Sequence, residues 1–112
     1  MARINWRGVF PAATTQFAED LSLDLDATCR VVDGLVADGV HGLVAMGTVG
    51  ENNSLLAAEK REVLAAIIAT VAGRVPVLTG VSELTTELAE TYIRDAASLG
   101  ANGAMLLPAM VY

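Results

Sequence analysis

Short apolar runs alternate along the chain with longer segments in which apolar residues recur every three or four positions. Apolar runs are typical of buried strands, and the longer period is typical of amphipathic helices. The pattern predicts strands over residues 8–14, 42–46, 75–80 and 103–108. It predicts helices over about 24–38, 57–71 and 86–99. This alternation indicates an α/β fold with a parallel sheet.

Glycines follow each predicted helix, at Gly39, Gly73 and Gly100, so a unit of helix, glycine turn and strand recurs three times. Such units build either an open doubly wound sheet or a closed (β/α)8 barrel. A barrel takes about 250 residues, whereas this chain has 112. Four parallel strands alone would leave edges and one apolar face uncovered. We therefore expect residues 1–112 to be the amino-terminal half of a single barrel domain.

Composition narrows the classes of function. Hydrophobic residues make up 54% of the chain, and thirteen acidic against seven basic residues give a net charge of −6. This balance argues against a nucleic-acid partner. No apolar run approaches the roughly 18 residues that span a bilayer, so we expect a cytoplasmic protein without membrane association. The lone Cys29 excludes an internal disulfide, and no residue cluster has metal-ligand spacing, so neither a metal nor another cofactor is predicted.

The stretch "MGTVGENNS", residues 46–54, follows the second predicted strand. Its glycines have neither the spacing of a phosphate-binding P-loop nor that of a dinucleotide fingerprint. One alternative is a plain turn in which the glycines serve only the backbone. The other is a ligand site, because loops at the carboxyl ends of parallel strands are where ligands bind.

The chemistry on offer in this loop is anion binding by neutral donors. Gly47 lets the backbone approach a ligand, the amides of Thr48 and Val49 can point inward, and the Thr48 hydroxyl adds a donor. Glu51 is predicted to hold the turn by accepting from backbone amides near the next helix. Thr14, with Thr15 beside it, follows the first predicted strand at the same end and is a candidate for substrate contact.

"GTVGENNSL" followed by "EKREVL", with "VPVLTGV" and "LLPAMVY" further along, resembles the dihydrodipicolinate synthase and N-acetylneuraminate lyase family. The resemblance runs from "GVFPAATTQF" to the end of the chain. It implies a (β/α)8 barrel in a homo-oligomer, usually a dimer of dimers, that binds a 2-oxo acid such as pyruvate as a lysine Schiff base. It also implies that Gly47, Thr48 and Val49 bind the substrate carboxylate and that the Thr48 hydroxyl acts catalytically by relaying a proton.

The resemblance places the Schiff-base lysine on the sixth strand and the main catalytic tyrosine on the fifth, both beyond Tyr112. Lys60 is the only lysine in the chain. It is predicted on an outer helix, solvated, and is not expected to be the nucleophile.

Two departures from the family pattern bear on the substrate. Val49 stands where many relatives have a second threonine, and Met110 stands where the synthase has a tyrosine that reaches a neighbouring subunit's site. Tyr112 is then a candidate for the lip of the site or an interface. These changes favour an aldolase, dehydratase or deaminase acting on a sugar-derived or hydroxyproline-derived acid, with dihydrodipicolinate synthase as the alternative. A non-catalytic half-barrel is the alternative from another class, and a lysine-bearing strand beyond Tyr112 would discriminate against it.

The remaining residues have structural interpretations. Trp6 and Phe10 are predicted to close the amino end of the barrel, and His41 is predicted at that end, away from the site. Leu56 occupies the position of a helix cap without a side-chain acceptor, so the second helix should be weakly capped.

Overall fold

The computed structural model describes residues 3–109 and contains three helices packed on a parallel sheet. The helices are α1 (Leu25–Ala37), α2 (Ala57–Val71) and α3 (Thr86–Leu99). The strands are β1 (Leu43–Ala45), β2 (Val77–Val81) and β3 (Gly103–Leu106), paired in the order β1-β2-β3. The predicted α/β class and the three predicted helices are confirmed.

The first predicted strand is not a regular strand in the structure. Ala12 forms an isolated parallel bridge with Val44, and the Ala13 amide donates to the Val44 carbonyl at 2.9 Å. Pro11 has no amide hydrogen, although its carbonyl accepts from Val44. Gly8 has a φ of 84°, which takes the chain out of the extended region. The prediction of four regular strands is therefore wrong, although the segment does follow the free edge of β1 in the parallel direction.

The core lies between the sheet and the helices. α1 packs on α2, and α2 packs on α3 and β2. Alternate residues of the strands reach zero or near-zero exposure on the helix side, where side chains of α2 and α3 meet them. The fully buried members include Leu43, Val81, Val63, Leu64 and Tyr92. Each such aliphatic side chain contributes about 1.5–3 kcal/mol through burial.

The other face of the sheet is covered at its amino end by two aromatic rings. The rings of Trp6 and Phe10 lie 6.0 Å apart, and both line a shallow cavity with Val44 and Leu78. A side chain at Gly103 would approach the Trp6 ring to 3.0 Å. The two rings lie at the predicted end of the sheet, and their closing of a barrel stays a prediction.

Helix starts follow the local sequence. The Asp24 carboxylate accepts from the Ala27 amide at 2.9 Å at the start of α1, and the Thr85 hydroxyl accepts from the Leu88 amide at 3.1 Å at the start of α3. Leu56 precedes α2 as the predicted cap residue and offers no side-chain acceptor, while the weakness of this cap stays a prediction. None of the helices within residues 3–109 is both long and apolar enough to cross a bilayer.

Candidate active site at the carboxyl ends of the strands

The loop after β1 lies at the carboxyl ends of the parallel strands. It turns at residues 47–51 and continues into a short 3₁₀ helix, Asn52–Ser54. Met46 and Glu51 border the turn with φ values of 55° and 60°. A left-handed backbone conformation at a non-glycine residue costs about 1–3 kcal/mol and persists only where the surrounding structure holds it. This loop is therefore held by its surroundings rather than by its own preferences.

Asn52 supplies much of that restraint. Its side chain is buried, and Nδ2 donates to the Met46 carbonyl at 2.8 Å and to the Gly80 carbonyl at 3.2 Å. Because both neighbours are acceptors, only the amide nitrogen can face them. Oδ1 is buried without a partner among the described atoms. Asn52 thus ties the start of the loop to the end of β2.

A second buried side chain holds the far side of the turn. The Thr15 hydroxyl donates to the Gly50 carbonyl at 2.7 Å. Gly50 lies close to the backbone of residue 13, since an added Cβ would be 3.2 Å from the Ala13 oxygen. The segment after Ala13 and the loop are thereby fixed to each other, and a side chain at Gly50 would be crowded by backbone atoms of Ala13 and Met46.

Thr48 and Val49 stand exposed at the top of this restrained turn. The Thr48 carbonyl accepts from the Glu51 amide at 3.0 Å. Within residues 3–109 the amides of Thr48 and Val49 donate to no backbone carbonyl. Two free amides and one hydroxyl on a rigid turn match the needs of a carboxylate oxygen pair. The arrangement can bind an anion without a cationic side chain.

The other residues predicted for the site have different outcomes. Thr14 is exposed next to Thr15, and its hydroxyl accepts from Gln16 Nε2 at 2.8 Å, so it lies at the same edge as the loop. Met110 and Tyr112 lie outside the described residues. Their predicted places at the lip of the site or at an interface stay predictions.

The prediction for Glu51 is wrong. Glu51 is exposed, and it stabilises the turn through its backbone, which bonds to Thr48 and Ser54. The carboxylate that accepts an amide hydrogen at the start of α2 belongs to Glu59, which receives the Leu56 amide at 2.9 Å. An N3 glutamate can reach back to the cap residue, whereas Glu51 lies in a left-handed turn too early in the chain.

The prediction that Lys60 is solvated is also wrong. Its side chain is 8% exposed and pairs with Glu83 at 3.1 Å, where Glu83 is 17% exposed. The ammonium also lies 6.0 Å from the centre of the Tyr92 ring. The loop after β2 brings Glu83 over α2, so the lysine gains a partner that local sequence does not show. Lys60 is a paired structural charge, which agrees with its exclusion as the nucleophile.

Tyr92 lies beneath this pair and is buried. Its hydroxyl lies 2.7 Å from that of Thr79, and the Arg61 guanidinium is 5.2 Å from the ring centre. Burial raises the pKa of Tyr92, and the Thr79 hydrogen bond and the Arg61 charge oppose this rise only in part. Tyr92 contacts β2 through Thr79 and is a buried core residue that supports the sheet.

The described residues contain no group of three histidine, cysteine or carboxylate side chains placed to hold a metal ion. His41 lies at the amino ends of the strands, where its Nδ1 accepts from the Val9 amide at 2.9 Å. It is far from the loop, as predicted.

Residues 5–110 match the dihydrodipicolinate synthetase family. The chain belongs to that family. It is 38% identical over 102 residues to the trans-O-hydroxybenzylidenepyruvate hydratase-aldolase of Pseudomonas putida, covering 88% of this chain and 31% of the relative. It is also 38% identical over 102 residues to the 4-hydroxy-tetrahydrodipicolinate synthase of Phenylobacterium zucineum, covering 91% of this chain and 34% of the relative.

Solved structures of the family have the same fold over this region. YagE, a prophage protein of the dihydrodipicolinic acid synthase family from E. coli K12 in complex with pyruvate, superposes with a TM-score of 0.87 at 32% identity. The match covers 92% of this chain and 35% of YagE. Dihydrodipicolinate synthase from Aquifex aeolicus superposes with a TM-score of 0.87 at 28% identity, over 92% of this chain and 35% of that enzyme. The chain thus spans about a third of the length of the relatives that it matches.

Proposed function

We propose that the protein is a Schiff-base lyase that binds a pyruvate-type 2-oxo acid at the Thr48 loop. The observation that carries this proposal is the restrained turn with two free amides and a hydroxyl at the carboxyl end of β1. Family membership and the pyruvate bound to YagE support it. The chain contributes the amino-terminal part of one barrel domain in this proposal.

The loop has a defined task in such a reaction. The amides of Thr48 and Val49 and the Thr48 hydroxyl hold the carboxylate of the 2-oxo acid, which fixes the position of the neighbouring carbonyl carbon. A lysine amine outside this chain attacks that carbon and releases water, forming an imine that withdraws electrons from the adjacent carbon. The Thr48 hydroxyl can also pass a proton to or from the reacting oxygen. Asn52 and Thr15 keep these donors in place.

We favour aldol cleavage or hydration over the synthase reaction. Val49 is 51% exposed and presents an isopropyl group at the site edge, where a hydroxyl would serve a polar substrate. The similarity to a hydratase-aldolase agrees with this choice. The second candidate is the synthase reaction, because the Phenylobacterium zucineum synthase is equally similar in sequence. Sugar-derived or hydroxyproline-derived acids, a dimer of dimers and a cytoplasmic location stay predictions.

Borohydride trapping tests the proposal. The full-length protein is incubated with pyruvate and reduced with borohydride, and its intact mass is measured. Proteolytic mapping then locates the modified residue. Reduction adds hydride to the imine carbon and fixes the adduct on the lysine nitrogen. We expect one reduced pyruvate on a lysine outside residues 1–112, and no adduct when succinate replaces pyruvate because succinate has no ketone.

Mapping separates the outcomes. An adduct on Lys60, or no adduct at all, would contradict the lysine mechanism. Cleavage assays with a hydroxylated 2-oxo acid and condensation assays with aspartate semialdehyde then decide between the aldolase and the synthase. A protein without any of these activities and without an adduct would support a non-catalytic barrel.

A further inference from the structure

A cavity lies at the amino ends of the strands, at the opposite end of the sheet from the Thr48 loop. It measures about 380 Å³ and lies between the amino-terminal segment and the turns that precede β1, β2 and β3. Its polar lining consists of Arg3, Asn5, Arg7, His41, Arg74 and Asn102. Three of the seven basic residues of the whole chain thus line one cavity.

The charge of this lining contrasts with the rest of the protein. The net charge of the chain is −6 with thirteen acidic residues, yet none of the described lining residues is acidic. Asp33, which is not a lining residue, pairs with Arg74 at 2.7 Å. A concave site lined by one sign of charge concentrates counter-ions. The cavity is therefore a positive region on an acidic protein.

Two neutral donors of the lining are held in fixed orientations. His41 Nδ1 accepts from the Val9 amide at 2.9 Å, so the proton of the neutral ring is on Nε2. The ring lies against Gly8, where an added Cβ would be 2.1 Å from Nδ1. Asn102 Oδ1 accepts from the Val77 amide at 2.9 Å, which leaves Nδ2 as a donor. Both side chains are oriented to donate rather than to accept.

Arg74 has a structural task as well. Its Nε donates to the Val71 carbonyl at 2.9 Å and one terminal nitrogen to the Thr70 carbonyl at 2.8 Å, at the end of α2. These bonds explain its position without a ligand but leave the other terminal nitrogen available. Arg3 and Arg7 have exposed side chains, and the Arg7 contact with Asn5 involves only the backbone. Their charges at this cavity have no such explanation.

We propose that this cavity binds a small molecule that carries two or more oxyanion groups, carboxylates or phosphates. Guanidinium groups pair with both kinds of oxyanion, and the fixed His41 and Asn102 donors add neutral hydrogen bonds. Arg3 and Arg7 on the amino-terminal segment contribute the charges on one side, and Arg74 contributes the charge on the other. The site is separate from the proposed active site and does not depend on its chemistry.

Calorimetric titration of the full-length protein at low ionic strength tests the proposal, with pyrophosphate and citrate as probes. Three variants each lower the net charge by one. Arg7→Gln removes a lining charge, and Asn102→Asp keeps the acceptor for the Val77 amide while replacing the donor with a carboxylate oxygen. Arg30→Gln is the matched control, because Arg30 is exposed on α1 and is not a lining residue.

We expect saturable binding of at least one probe with a dissociation constant of about 1 mM or tighter. Arg7→Gln should weaken it by about tenfold, Asn102→Asp should abolish it, and Arg30→Gln should change it less than about twofold. Tighter binding of pyrophosphate would assign the ligand to the phosphates, and tighter binding of citrate to the carboxylates. Absence of saturable binding, or equal weakening by all three variants, would overturn the proposal.

Discussion

The side-chain amide of Asn52 donates to the carbonyl of Gly80 at 3.2 Å, which joins the loop after β1 to the end of β2. The same nitrogen holds the Met46 carbonyl at 2.8 Å. Gly80 permits this contact because an added Cβ would be 2.1 Å from the Met46 oxygen. The buried Asn52 amide and the absence of a side chain at Gly80 thus fix the position of the Thr48 turn relative to β2.

Asn52→Asp is expected to be more harmful than Asn52→Ala, although aspartate is closer in size. Alanine leaves two carbonyls without a donor and should cost about 2 kcal/mol of unfolding free energy, whereas aspartate directs a carboxylate at them and should cost about 3 kcal/mol or more. Urea unfolding of the full-length protein measures both. Asn53→Asp on the exposed neighbouring residue is the control and should stay within about 0.5 kcal/mol. Equal stability of Asn52→Asp and wild type would contradict the role of the amide.

Thr48→Val is expected to impair the proposed reaction without unfolding the protein, because Thr48 is exposed and valine keeps its shape. Loss of the hydroxyl donor should cost about 2–3 kcal/mol of transition-state stabilisation, or about a hundredfold in kcat/KM. Thr48→Ser retains the hydroxyl and should have a mild effect. Wild-type steady-state kinetics in a folded Thr48→Val variant would show that the loop is an ordinary turn.

Lys60→Met is expected to destabilise the fold because it leaves Glu83 partly buried without its partner. The loss should be about 2 kcal/mol of unfolding free energy, below the range for fully buried pairs because Glu83 retains some solvent contact. The double variant Lys60→Met with Glu83→Gln should recover most of this loss. A double-mutant cycle by urea unfolding measures the coupling. A Lys60→Met variant as stable as wild type would show that the ion pair with Glu83 does not stabilise the fold.

Tyr92 is expected to make the fold sensitive to alkali. Burial raises the folded-state pKa of Tyr92 above the unfolded value of about 10. The stability that the protonated Tyr92 hydroxyl contributes is therefore complete below about pH 10 and is lost as the pH rises through the folded pKa. Tyr92→Phe loses the bond to Thr79 and should be about 1 kcal/mol less stable at pH 8. The gap between the two proteins should narrow by pH 11 in urea unfolding. A gap independent of pH would contradict the raised pKa.

Leu56→Thr is expected to stabilise the start of α2 by about 1 kcal/mol, since it supplies the missing acceptor while Glu59 keeps the backbone amide bonded. Leu56 is 72% exposed, so little burial is lost. Leu56→Ala removes the same apolar surface without an acceptor and serves as the control. Thermal unfolding measures both variants. Equal melting temperatures would show that the cap position is not limiting.

Local sequence determined the helices and the place of the loop. The period of apolar residues and the acceptors at Asp24 and Thr85 suffice to define α1 and α3, because helix geometry is set by neighbours three and four positions apart. The glycines around Thr48 follow β1, so the order of elements alone placed them at the carboxyl edge of the sheet. That information lies within short windows of the chain.

Only the tertiary structure decided which polar groups meet. Asn52 reaches Gly80 across 28 positions, and Lys60 reaches Glu83 across 23, so neither contact leaves a periodic trace in the sequence. Pro11 lies in an apolar run typical of a strand, yet its missing amide restricts the pairing with β1 to an isolated bridge. Burial is set by the elements that pack over a residue, which is why Lys60 becomes buried although its own helix pattern predicts exposure.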